Sequence, residues 1–132
     1  MIPKFRAWDK ENKKMYGCYG FDDLNERIYR CNLANSEFRK AHLETVYAVE
    51  DDLNNFELMQ STGLKDKDGV EIYEGDIVAI KYTEHGYHYY QKIVFENGTF
   101  TAGDEDWLYN IKDYCVVCGN IYEDKELLEV EG

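Results

Sequence analysis

Cys115-Val116-Val117-Cys118 has the spacing of a metal-binding or redox pair. A structural zinc site needs four ligands, usually from two such pairs. The other thiols, Cys18 and Cys31, have twelve residues between them, and the histidines are His42, His85 and His88. In an extended strand Cys115 and Cys118 would project to opposite faces, and the context lacks the helix N-terminus that activates a redox pair. They read as reduced strand cysteines, and no metal or other cofactor is expected. Asp66-Lys67-Asp68-Gly69 has part of a calcium-loop pattern, but too few alternating ligands, and Glu71 comes too early to close it. Those residues read as a β-turn. The only serines, Ser36 and Ser61, sit in no glycine-flanked elbow. With 27 acidic residues, any pairing of carboxylates is uninformative. There is no glycine-rich phosphate loop. The expectation is that the protein is not an enzyme.

Aromatic residues carry more information. Along the stretch from 87 to 95, Tyr87, Tyr89 and Phe95 fall on one side of a strand, and His88, Tyr90, Lys92 and Val94 on the other. One face must meet a core, which leaves the other as a partner surface. With Lys4, Arg6 and Trp8 near the start and Trp107 further on, the expected interaction surface is Lys4, Arg6, Trp8, Tyr87, Tyr89, Tyr90 and Trp107.

Charge restricts what that surface can meet. The net charge is −12. Residues 1–56 carry nine basic and ten acidic side chains, whereas residues 57–132 carry six basic and seventeen acidic ones. Phosphate neutralisation needs clustered Lys and Arg. Nucleic acid is thus disfavoured, and any such contact would fall to Lys4, Arg6, Lys10, Lys13 and Lys14, or to Arg27, Arg30, Arg39 and Lys40. Proteins are the expected partners, a second copy of the chain included, with single-stranded nucleic acid as the alternative.

These residues must be positioned by short strands. Lys4–Trp8 alternates in type, a polar turn follows, and Met15–Gly20 returns as a hairpin partner. Residues 21–35 lack a steady period and read as a loop with a short helical turn. Residues 36–49 lean towards an extended stretch, and 51–56 towards a turn or brief helix. From 56 onwards strands are expected at Phe56–Gln60, Val70–Tyr73, Ile77–Tyr82, Tyr87–Glu96, Thr99–Ala102 and Tyr114–Tyr122. Asn97-Gly98 is a strong hairpin signal. Such spacing suggests a small antiparallel barrel or sandwich. The division expected is 1–55, an N-terminal hairpin and irregular region, and 56–132, a small β-barrel with an acidic tail.

At 132 residues the chain can bury a core without staples. No apolar run approaches the roughly 18 residues that span a bilayer, and the opening MIPKFRAWDK has no hydrophobic signal region. The cytoplasm is the expected location, with no membrane partner.

Three pieces taken together are similar to the YopX family of phage and prophage proteins. They are Ile2-Pro3-Lys4-Phe5-Arg6-Ala7-Trp8-Asp9 with Met15, then Thr62-Gly63-Leu64-Lys65-Asp66 with Glu71-Ile72-Tyr73-Glu74-Gly75-Asp76-Ile77-Val78, and Gly119-Asn120-Ile121-Tyr122-Glu123. The resemblance implies a mainly β fold with minor α content. It implies a C-terminal barrel of the Src-homology-3 type after a less regular N-terminal region. It also implies a phage or prophage origin, hence a bacterial host cell; with that origin, the protein partners expected from the charge and the aromatic strand are host or phage proteins. It supplies no activity and no catalytic residues.

Overall fold

The computed structural model describes residues 4–38, 46–83, 86–103 and 106–129. Two units follow one another along the chain, residues 1–60 and 61–132.

In the first unit, β1 (Phe5–Asp9), β2 (Lys14–Asp22), β3 (Arg27–Ala34), β4 (Ala48–Asp52) and the first half of β5 (Phe56–Lys65) form an antiparallel sheet ordered β4-β3-β2-β1-β5. The expected β1–β2 hairpin is present. Its turn is tied by Asp9, whose Oδ1 accepts the backbone N–H groups of Glu11 and Asn12, both at 3.0 Å. Ala7, Tyr16, Ile28, Ala34 and Phe56 form this unit's core.

β3 corrects the loop expected over 21–35. Two irregularities in its pairing with β2, between Tyr16 and Cys18 and between Cys18 and Gly20, break the two-residue alternation that marks a strand. Its charged residues are also cross-strand partners: Arg27 pairs with Glu50 at 3.4 Å and Arg30 with Asp51 at 3.2 Å. The brief helix expected near 51–56 is one 3-10 turn, Leu53–Asn55, capped by the Asp52 side chain. Of the helix-or-strand stretch before it, residues 39–45 lie outside the described residues, and β4 begins at Ala48.

In the second unit, the later part of β5 pairs with β6 (Glu71–Tyr73). Then β7 (Asp76–Ile80), β8 (Tyr89–Glu96), β9 (Thr99–Ala102), β10 (Asp106–Trp107) and β11 (Cys115–Asn120) form an antiparallel sheet ordered β10-β9-β8-β7-β11. The β8–β9 turn is the expected Asn97-Gly98, with both φ values positive at 53° and 81°. Ile72, Val78, Ile80, Ile93, Ala102, Leu108, Ile111 and Cys115 make the core.

The architecture is mainly β, in two antiparallel sheets. The sheet is open, however, and not a closed barrel. Among the described residues β10 and β11 pair with β9 and β7 but not with each other. The chain between them turns through the short helix α1 (Leu108–Ile111) and a 3-10 turn, Lys112–Tyr114, where a closing strand would have to run. Among the described residues no helix is long and apolar enough to cross a membrane.

Candidate functional site

The Thr62–Asp76 stretch is a hydrogen-bonded scaffold in the second unit. The Thr62 hydroxyl donates to the Ile72 carbonyl at 2.7 Å. Asp66 is buried, and its carboxylate accepts three backbone N–H groups: Asp68 and Val70 on Oδ1, both at 2.9 Å, and Val117 on Oδ2 at 2.8 Å. The backbone N–H of Lys67 donates to the Cys115 carbonyl at 3.0 Å. Gly63, Gly69 and Gly75 take the positive φ values, 77°, 84° and 88°, that these turns require. Asp76 Oδ2 accepts from the Tyr73 N–H at 2.7 Å. One consequence concerns the sheet's edge. β11 pairs with β7 on one side, and on the other its Cys115 carbonyl and Val117 N–H are taken by the 66–67 turn, so no further strand can add there.

The face beside that turn is the candidate site. Val78, Ile80, Cys115 and Val117 point to the core side of the sheet, so Ala79, Tyr90 and Val116, which lie opposite one another, point outward. Around them Lys67, Lys81, Tyr82, Thr83, His88, Asp113, Tyr114 and Cys118 complete an open groove of about 740 Å³. Its floor is small and apolar, with Ala79 and Val116. Its walls are two ring pairs: Tyr82 with Tyr114, centroids 5.3 Å apart, and His88 edge-on to Tyr90 at 5.4 Å. Asp113 is paired with Lys112 at 3.2 Å. Among the described residues neither Lys67 nor Lys81 has an ion-pair partner.

The residues expected at the interaction surface separate. Lys4 is exposed, but Arg6 and Trp8 are only 9% and 6% exposed, because β1 is a central strand between β2 and β5. All three belong to the first unit. In the second, Tyr87 and Trp107 are exposed at 69% and 61%. Tyr89 packs on the core, and its hydroxyl donates to Asp106 at 3.3 Å. Burial, the Tyr82 hydroxyl and the Asp106 charge all push its pKa up. Of the seven, only Tyr90 lines the groove. Lys67, Lys81, Tyr82, Tyr114 and Cys118 were missed. Alternation places Tyr114, Val116 and Cys118 on one face of their strand, but nothing local says that this strand lies beside β7.

The groove brings a histidine, a cysteine and a carboxylate to one place. The Cys118 thiol donates to the Val116 carbonyl at 3.4 Å, and burial, with the nearby Asp66 charge, raises its pKa, the reverse of what a nucleophile needs. Cys115 lies on the core side, where burial and the charges of Asp66 and Asp113 push its thiol up to about 12. Among the described residues no group of three His, Cys, Asp or Glu side chains could hold a metal ion.

Comparison with known proteins bears on the whole chain. The model of the family described as YopX protein matches residues 4–129. The crystal structure of protein EF1440 from Enterococcus faecalis is similar, with a TM-score of 0.68 and 32% identity, covering 97% of this chain and 99% of that one. The crystal structure of YopX from Bacillus subtilis shares the fold at a TM-score of 0.54 and 20% identity, covering 95% of this chain and 97% of that one. No curated protein matches the chain significantly. The match over nearly all residues, together with the similarity to EF1440, means that the chain belongs to the YopX family.

Proposed function

We propose that this protein is a non-catalytic interaction module, a phage- or prophage-encoded accessory factor that docks onto a protein of its bacterial host or phage, or onto a second copy of itself. The observation that carries this reading is the outward groove on β11-β7-β8, with tyrosine walls, an apolar floor and two lysines that have no ion-pair partner among the described residues. Exposed aromatic side chains with an apolar centre and a polar rim are what protein interfaces favour. Tyr87, Trp107 and Tyr109 add exposed aromatic surface in the same unit. The kinship with Src-homology-3 barrels rests on the hairpin succession and the family resemblance, with barrel closure set aside. The cytoplasm of the host is the location this reading assigns to it.

Light scattering from low to high salt, with capture of partners from host lysate, tests the reading. It predicts either an oligomer whose population falls as salt rises, or a specific captured protein. A monomer at every salt concentration, with nothing retained, contradicts it. The second reading, a binder of single-stranded nucleic acid, is favoured by the same lysines beside stackable rings. It predicts steeply salt-dependent binding of oligonucleotides, against the net charge of −11 on residues 57–132, which carry six basic and seventeen acidic side chains.

A further inference from the structure

We infer that the β11-β7-β8 groove recognises a short acidic segment of a partner protein, holding a carboxylate with Lys67 and Lys81 and an apolar or aromatic side chain between the tyrosine walls. The inference rests on the interaction reading above and names the chemistry of the ligand.

Three observations lead to it. The first is local charge. Residues 57–132 have only six basic side chains, and two of them, without ion-pair partners among the described residues, border one groove. Asp113, the acidic residue among the described lining residues, is paired with Lys112. The groove is therefore a cationic spot on an acidic surface. It complements one or two carboxylates but not a long polyanion, which the surrounding charge would repel. The second is the apolar floor and ring pairs, which suit a side chain rather than a bare anion. The third is the blocked edge. The 66–67 turn already holds the outward Cys115 carbonyl and Val117 N–H, so a partner cannot be bound by strand addition to β11. Recognition must come from side chains on the face, where Lys67 and Lys81 are, among the described residues, the lysines that line the groove.

The test is a fluorescence anisotropy titration of the full chain at low salt with three labelled probes. These are an acidic peptide, Glu-Glu-Trp-Leu-Glu, its basic counterpart Lys-Lys-Trp-Leu-Lys, and a short oligothymidylate. The inference expects the acidic peptide to bind, the basic one not to, and binding to weaken with added salt. Lys67→Ala with Lys81→Ala should weaken binding at least about tenfold, the loss of charge-assisted hydrogen bonds. Both substitutions shorten exposed side chains that make no ion pair among the described residues. Bound peptide should also slow alkylation of Cys118, read by mass spectrometry, without altering Cys115. Binding that survives the double substitution, or that leaves Cys118 unprotected, overturns the inference. So does failure of the acidic peptide to bind, and preferential binding of the oligothymidylate reassigns the groove to single strands. A protein partner whose capture is untouched by the lysine substitutions overturns this inference alone and leaves the interaction reading standing.

Discussion

Asp66 shows how one side chain can serve several elements. Its carboxylate orders its own turn through Asp68 and Val70 and fastens β11 through Val117, 51 residues later. Asp66→Ala would leave three backbone donors short of a partner, a loss of roughly 3–5 kcal/mol. Asp66→Asn should lose less, because one oxygen can still accept. Urea unfolding checks both, and a shift worth under about 1 kcal/mol for Asp66→Ala would contradict the role described. The sequence showed a turn at this position. It could not show the long reach, because a contact across so many residues leaves no local trace. The cysteines were more legible, since alternation alone put Cys115 and Cys118 on different sides. Cys118 should alkylate in the native protein and Cys115 only on unfolding. The Cys115 thiol, raised from 9.0 to about 12, stays protonated in the folded chain while the unfolded chain ionises. Its contribution to stability is therefore complete below about pH 9 and lost as the pH rises from 9 towards 12. Cys115→Ala should flatten that alkaline decline in a pH series of unfolding curves, and an unchanged slope would refute the assignment.

Among the elements, turns were the most readable and strand partners the least. Gly69 has a φ of 84°, and a Cβ built there meets nothing within 4 Å. Any cost of substitution is therefore backbone strain alone. Gly69→Ala should lower stability by about 1 kcal/mol and Gly69→Asn by less, since Asn tolerates the left-handed region. Thermal melts of the two variants decide it, and equal losses would point to packing. Asn97-Gly98 announced its hairpin because both residues must adopt positive φ, a demand few other pairs meet. β3 went unseen because its bulges break the period and its charged residues pair with β4. The barrel's closure was over-read for a related reason. Four of the five strands from β7 to β11 were expected and the short β10 was not; pairing at the ends also depends on how α1 turns the chain, and four residues of helix give no signal of direction.

At the scale of the molecule, charge distribution was plain from composition, whereas the groove was not. Its residues come from the 66–67 turn, β7 and its exit, the entry to β8, and β11 with the turn before it. Only the pairing order brings them together, so Tyr90 was anticipated while Lys67, Lys81, Tyr82 and Tyr114 were not. The account's central claim is that this face meets another protein. Site-specific photo-crosslinking tests it most directly, with a photoreactive phenylalanine analogue in place of Tyr82 in the groove wall and, as control, in place of the fully exposed Leu24 of the first unit. The account predicts a discrete protein adduct, to a host or phage protein or to a second copy, from position 82 and none from position 24. Equal labelling from both positions, or none from either, would contradict it.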